Sequence, residues 1–136
     1  MGPKVRILVA DDHAVVRAGL KTILGAREGW KICAEAATGA EAVAFARRYR
    51  PDVAILDLNM PGITGLEASA EIKKSLPRTE LVILTCHYSE PLLQAIEKTG
   101  ALGFVLKSDA DRDLVARCNA CRLSADHPII YTARRK

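Results

Sequence analysis

The chain has 136 residues, a length that fits one domain. Apolar residues make up 49% and charged residues 26%, which is globular composition and excludes wholesale disorder. The net charge of +4 is modest, and its densest patches, Arg47-Arg48-Tyr49-Arg50 and Arg134-Arg135-Lys136, are too short to claim nucleic-acid binding on charge alone. No run approaches the ~18 apolar residues of a membrane span, and the N-terminal residues run into a strand-like segment with no secretory signal. The four cysteines, Cys33, Cys86, Cys118 and Cys121, are too few for a disulfide scaffold, so the chain reads as reduced and cytosolic.

Residues 5–10 (VRILVA) form a short β-branched run that ends in acid. Val16, Leu20, Ile23 and Leu24 then recur at helical spacing, with Gly25 and Gly29 marking the end. Residues 30–36 (WKICAEA) carry Lys31 and Glu35, as an edge strand does. Thr38 and Glu41 have capping-box spacing and open a second helix, which ends in Arg47, Arg48 and Arg50 before Pro51. Residues 53–56 (VAIL) are apolar without interruption, which a strand covered on both faces requires. Thr64 and Glu67 repeat the capping pattern, and Ala68, Ile72 and Leu76 give a third helix before Pro77. Residues 81–84 (LVIL) are a fourth strand. Ser89 caps a fourth helix, with Pro91 in its first turn and Gly100 at its end. Residues 102–106 (LGFVL) are a fifth strand, and Ser108 with Asp111 opens a fifth helix through Leu114, Val115, Cys118 and Cys121. Beyond Arg122 periodicity is lost, and residues 124–136 read as a tail or linker.

Five strands alternating with five helices predict an α/β fold. The strands are parallel, the crossovers right-handed, and the sheet single and open with helices on both faces. In such a sheet all strand C-termini lie on one edge, where ligands bind. That edge receives Asp11 and Asp12 from the first strand, Asp57 from the third, Thr85 from the fourth and Lys107 from the fifth. Clustered carboxylates repel unless a cation joins them, and a hard divalent ion such as Mg²⁺ is the natural guest. Lys107 and Thr85 can bind phosphoryl oxygens, and Asp57 can act as a nucleophile that forms an aspartyl phosphate. Singly these residues are bland: an Asp after a strand is commonly a helix cap. Their coincidence at four strand ends carries the reading. Cys118 and Cys121 share the core face of Leu114 and read as small hydrophobes, and the pair lies too late in its helix for a redox motif. His13 reads as a surface residue of the first helical turn. Dinucleotide, nucleotide-triphosphate and serine-hydrolase motifs are missing from the sequence.

The segments VADD (9–12), VAILDLNMPGITG (53–65), LVILTCH (81–87) and GFVLK (103–107) closely resemble the receiver domain of bacterial two-component response regulators. DDHAVVRAGL (11–20) resembles the LuxR/NarL type of transcription regulator, and the resemblance spans residues 4–123. It implies a doubly wound, flavodoxin-like sheet in the order 2-1-3-4-5. It implies Asp57 as phosphoacceptor, with Asp11, Asp12, Asp57 and the backbone carbonyl of Asn59 holding Mg²⁺ or Mn²⁺, Asp12 as a direct ligand. Thr85 and Lys107 match the phosphoryl-sensing pair. Phe104 matches an aromatic whose ring turns inward on phosphorylation, into space that Thr85 vacates. The implied partner is a sensor histidine kinase, with small phosphodonors as substitutes and a homodimer as a further possibility. The implied chemistry is phosphoryl acceptance and slow self-dephosphorylation, not turnover of a substrate. DNA would be reached only through an output domain outside this chain, and no membrane is involved.

Some positions depart from the family's common pattern. Cys86 follows Thr85 where a small residue often sits, His87 and Tyr88 replace more polar residues, and Asn59 and His87 flank the site, where the acyl-phosphate lifetime is tuned. Ser108 stands where some receivers have a cis-proline. Residues 129–132 resemble the start of a linker to a helix-turn-helix domain, whereas a stand-alone receiver acting through protein contacts is the alternative. An aspartyl-phosphate phosphohydrolase needs an acid at position 59, which Asn59 cannot supply. A pseudo-receiver without metal is opposed by the intact Asp11, Asp12, Asp57, Thr85 and Lys107.

Overall fold

The structure, a computed structural model, describes residues 5–123, with side chains up to Cys118. Its elements are β1 (Val5–Ala10), α1 (Ala14–Gly25), β2 (Trp30–Ala36), α2 (Gly39–Tyr49), β3 (Val53–Asp57), α3 (Gly65–Ser75), β4 (Glu80–Thr85), α4 (Glu90–Lys98), β5 (Gly103–Leu106) and α5 (Ala110–Leu123), with a one-turn 3₁₀ helix at Lys107–Asp109. The five strands pair in parallel in the order β2-β1-β3-β4-β5. The chain therefore has the doubly wound flavodoxin-like architecture.

The unbroken apolar runs follow from a sheet covered on both faces. Ala54, Leu56, Leu81 and Ile83 pack toward Ala42, Ala46, Ala68, Ile72 and Ile96 of α2, α3 and α4. Val53, Ile55, Val82 and Leu84 alternate to the opposite face and meet Leu20, Leu24, Leu114 and Cys118 of α1 and α5. Cys118 thus lies in the core as expected, while the side chain of Cys121 lies outside the described residues. So does the tail at residues 124–136. β2 is an edge strand with Lys31 and Glu35 exposed, and its register slips at Cys33: Ile7 pairs with Ile32 but Leu8 pairs with Ala34.

The caps follow the sequence with two exceptions. Thr64 and Glu67 form a reciprocal capping box, but Glu41 reaches past Thr38 and accepts instead from the Ala37 N–H at 2.8 Å. Ser108 caps nothing: the chain first closes the 3₁₀ turn, and α5 begins only at Ala110. The tighter turn consumes the residues that the capping pattern assigned to the helix start.

Candidate functional site

The strand registers set the site. Ala10 pairs with Leu56, Asp57 with Leu84 and Thr85 with Leu106, so the chain leaves β1, β3, β4 and β5 at nearly one level. The next side chains outward are Asp11, Asp57, Thr85 and Lys107. Asp11 is fully buried, Asp57 and Thr85 are nearly so, and Asp12 is exposed. The Leu58 N–H donates to the Leu84 carbonyl and the Gly65 N–H to the Leu58 carbonyl, so the backbone just past Asp57 is held from two sides. A Cβ on Gly65 would collide with the Asp57 carbonyl oxygen, so only glycine lets α3 start this close.

One ammonium serves two buried carboxylates. Lys107 Nζ lies 3.0 Å from Asp57 Oδ1 and 3.2 Å from Asp11 Oδ2. Despite that ion pair, Asp11 Oδ2 has no hydrogen bond of proper geometry among the described residues. Burial raises the Asp57 pKa; Lys107 pulls it back, and the charges of Asp11 and Asp12 push it up again. For Lys107 burial acts to lower the pKa, but the adjacent Asp57 and Asp11 carboxylates outweigh it and the pKa stands raised.

His13 and Arg17 complete the rim. The His13 N–H donates to Asp11 Oδ1 at 2.9 Å, and its ring Nδ1 lies 3.2 Å from Asp11 Oδ1 and 3.1 Å from Asp12 Oδ1. Arg17 Nη1 donates to the Asp11 carbonyl at 2.7 Å while its Nε donates to Glu35, which also accepts from Lys21. The Lys21 bond, opposed by burial and helped by Arg17, holds the Glu35 pKa below its usual value. His13 is exposed, as the sequence suggested, although its ring turns back to the acid pair; Arg17 the sequence reading missed. The signal available was its place six residues after Asp11, on the turn of α1 that rises beside the loop.

One predicted member, Thr85, points elsewhere. The Thr85 hydroxyl donates to the His87 carbonyl at 3.0 Å, so it is engaged with the loop after β4 and not with Lys107 or Asp57. Phe104 is already buried, with its ring 5.4 Å from that of Tyr88 at 64°, and the Tyr88 hydroxyl donates to Glu90 at 2.6 Å. The inward ring therefore coexists with a Thr85 hydroxyl that has not moved toward Asp57. Asn59 is exposed two residues past Asp57, and Cys86 is exposed too.

The donor set fits a divalent cation. Ligand atoms of Asp11, Asp12 and His13 lie within 4.8 Å of one another. A buried carboxylate oxygen lacking a hydrogen bond, with further carboxylates beside it, is the chemistry that a hard cation relieves.

The family model for the response regulator receiver domain matches residues 7–119. The chain belongs to the response regulator receiver domain family. The receiver is 45% identical over 112 residues to the oxygen regulatory protein NreC of Staphylococcus epidermidis, covering 82% of this chain and 51% of that protein. It is 38% identical over 112 residues to the response regulator UvrY of Escherichia coli, with the same coverage of 82% and 51%. Among solved structures it superposes on the signal receiver domain of NarL from Mycobacterium tuberculosis with a TM-score of 0.82 at 31% identity, over 89% of this chain and 98% of that one. A DNA-binding response regulator of the LuxR family from Staphylococcus aureus gives a TM-score of 0.79 at 27% identity, over 86% and 98%. The chain thus spans about half the length of the curated relatives it matches. It is a signalling domain of the NreC, UvrY and NarL type of two-component response regulator. No helix among the described residues is long and apolar enough to cross a membrane.

Proposed function

We propose that residues 4–123 act as a phosphorylation-dependent switch in which Asp57 accepts a phosphoryl group from a phosphohistidine of a sensor histidine kinase. The observation that supports this most is the buried Asp57 carboxylate at the end of β3, sharing one ammonium with buried Asp11. An oxygen of Asp57 attacks phosphorus as the P–N bond of the donor breaks, and the histidine nitrogen leaves with the electron pair. Lys107 faces the carboxylate at 3.0 Å, where it meets the charge of the incoming group. Asp11, Asp12, Asp57 and the Asn59 carbonyl would hold Mg²⁺ or Mn²⁺, which supplies neutralisation of phosphoryl charge. The Thr85 hydroxyl reaches a phosphoryl oxygen only by giving up the His87 carbonyl, so phosphorylation rearranges the loop that leads into α4. Phe104 and Tyr88 pack against each other beside that loop and sense its movement.

The relatives carry the wider reading. A receiver of the NreC, UvrY and LuxR type governs an output domain, and the transcriptional effect on DNA belongs to that domain. Incubation with acetyl phosphate and Mg²⁺, read by intact mass, is expected to add one phosphoryl group, and Asp57→Asn is expected to add none. A Mg²⁺-dependent adduct that persists on the variant overturns the assignment.

A further inference from the structure

We propose that Arg17 and Glu35 are positioning residues of the phosphoacceptor site: together they lock the peptide that joins Asp11 to Asp12 and so set how tightly the rim takes a divalent cation. The inference rests on the reading that Asp11 and Asp12 hold that cation. Arg17 Nη1 donates to the Asp11 carbonyl at 2.7 Å, and Arg17 Nε donates to Glu35 Oε1 at 3.2 Å. The Asp11 carbonyl and the Asp12 N–H belong to one planar unit. A bond to that carbonyl therefore fixes the direction in which the chain, and the Asp12 carboxylate with it, leaves β1. Asp11 is held elsewhere too: its N–H donates to the Ala36 carbonyl at 3.0 Å, and its Oδ1 accepts from the His13 N–H at 2.9 Å. Of these bonds, the one from Arg17 acts on the peptide plane between the two acids.

Glu35 reaches Arg17 because β2 is irregular. Trp30 and Ile32 pair with Val5 and Ile7 and lie on the sheet face covered by α1 and α5. Past Cys33 the register slips, Leu8 pairs with Ala34, and Ala34 and Ala36 lie on the opposite face with α2. Strict alternation from Ile32 would put Glu35 on the α2 face. The extra residue turns it to the α1 face, where Arg17 and Lys21 both donate to it. Re-aiming one side chain is what a bulge on an edge strand does. Here the re-aimed carboxylate stands two hydrogen bonds from the acid pair, through Arg17 and the Asp11 carbonyl.

Charge and position make opposite demands on Arg17. Its guanidinium brings positive charge to a rim that takes a cation, and by charge alone its removal tightens binding. Its fork spans two acceptors, and the loss of that brace loosens binding. The two effects differ in sign, so a single deletion separates them.

The test is calorimetric titration of the full chain with Mg²⁺, paired with the rate of phosphorylation by acetyl phosphate over the same Mg²⁺ range. Arg17→Ala is expected to weaken Mg²⁺ binding about tenfold, the scale seen when support behind a metal ligand is lost. The Mg²⁺ concentration for half-maximal rate is expected to rise in step, with the rate at saturating Mg²⁺ within about twofold of wild type. Glu35→Ala is expected to weaken binding about threefold, and Glu35→Gln, which keeps an acceptor for Arg17 without the charge, to recover most of that loss. The Glu35 side chain is 37% exposed, so its two variants decide the matter even where Arg17→Ala does not fold. Unchanged or tighter Mg²⁺ binding by Arg17→Ala overturns the proposal, as does a loss in Glu35→Gln equal to that in Glu35→Ala. With either result a wild type that binds Mg²⁺ and gains a phosphoryl group on Asp57 leaves the switch itself standing. A wild type that binds no Mg²⁺ overturns the proposal together with the reading beneath it.

Discussion

The two ends of the sheet treat their polar groups in opposite ways. At the N-terminal end Arg6, Asp52, Thr79 and Lys73 each meet partners. The Arg6 N–H donates to Asp52 Oδ2 at 2.8 Å, the Asp52 N–H returns a bond to the Arg6 carbonyl, and the Arg6 guanidinium covers the Tyr49 and Arg50 carbonyls. Buried Thr79 donates to the Pro51 carbonyl at 2.8 Å, and Lys73 bridges the Thr79 carbonyl and Glu80. At the C-terminal end carboxylates from β1 and β3 compete for Lys107, and the Thr85 hydroxyl faces away from both. One end is closed by its own bonds. The other is left short of positive charge, and an arriving cation or phosphoryl group changes its balance.

Removing Lys107 sharpens that contrast most. Lys107→Met leaves Asp11 and Asp57 without their ammonium and is expected to cost roughly 3 kcal/mol at neutral pH, the low end for breaking a buried pair because Lys107 is partly exposed. The sign with pH is fixed. Burial already raises the Asp57 pKa in the folded state, and loss of Lys107 raises it further. Between the unfolded and folded pKa values the native state then holds a proton that the unfolded chain does not. Stability of the variant is therefore expected to rise as pH falls through that window. Adding Asp57→Asn is expected to recover most of the loss at neutral pH. Urea melts from neutral to acidic pH check this, and a deficit that widens on acidification refutes the shared-ammonium picture.

At the closed end the effect is smaller and confined to stability. Thr79→Val strands the buried Pro51 carbonyl and is expected to cost ~1–2 kcal/mol. Phosphorylation by acetyl phosphate is expected to keep its wild-type rate in that variant. A slowed reaction shows that the two ends are coupled through the strands.

The smallest expected effect is a null. Trp30 begins β2, pairs with Val5 and carries the Arg27 guanidinium 5.2 Å from its ring. It stands a strand length, ~17–20 Å, from the acidic rim. Saturating Mg²⁺ is expected to leave its fluorescence unchanged. A saturable quench breaks the separation of the two ends.

What was legible in the sequence was whatever depends on alternation and spacing. The runs VAIL and LVIL declared strands covered on both faces, because the apolar residues 53–56 and 81–84 alternate between the two helix-covered core clusters. The rim was legible because parallel strands deliver their last residues to one edge. Contacts with backbone were not. Arg17 binds the Asp11 carbonyl, and a carbonyl has no letter in the sequence. The direction of Thr85 was hidden because its rotamer is set by the His87 backbone. Ser108 misled because a 3₁₀ turn and a helix start share the same polar residues.

The seat of Gly65 against the backbone of Asp57 has a consequence for how this chain can change over generations. At Gly19 and Gly25 an added methyl group meets nothing within 4 Å, so codons there are free to wander. At position 65 every other amino acid brings a carbon into the Asp57 carbonyl, and no compensating change of a neighbouring side chain can move it, since the obstacle is main chain. The site is thus anchored genetically by a residue with no functional group. Its variants fail through the position of Asp57, with every charged residue of the rim still in place.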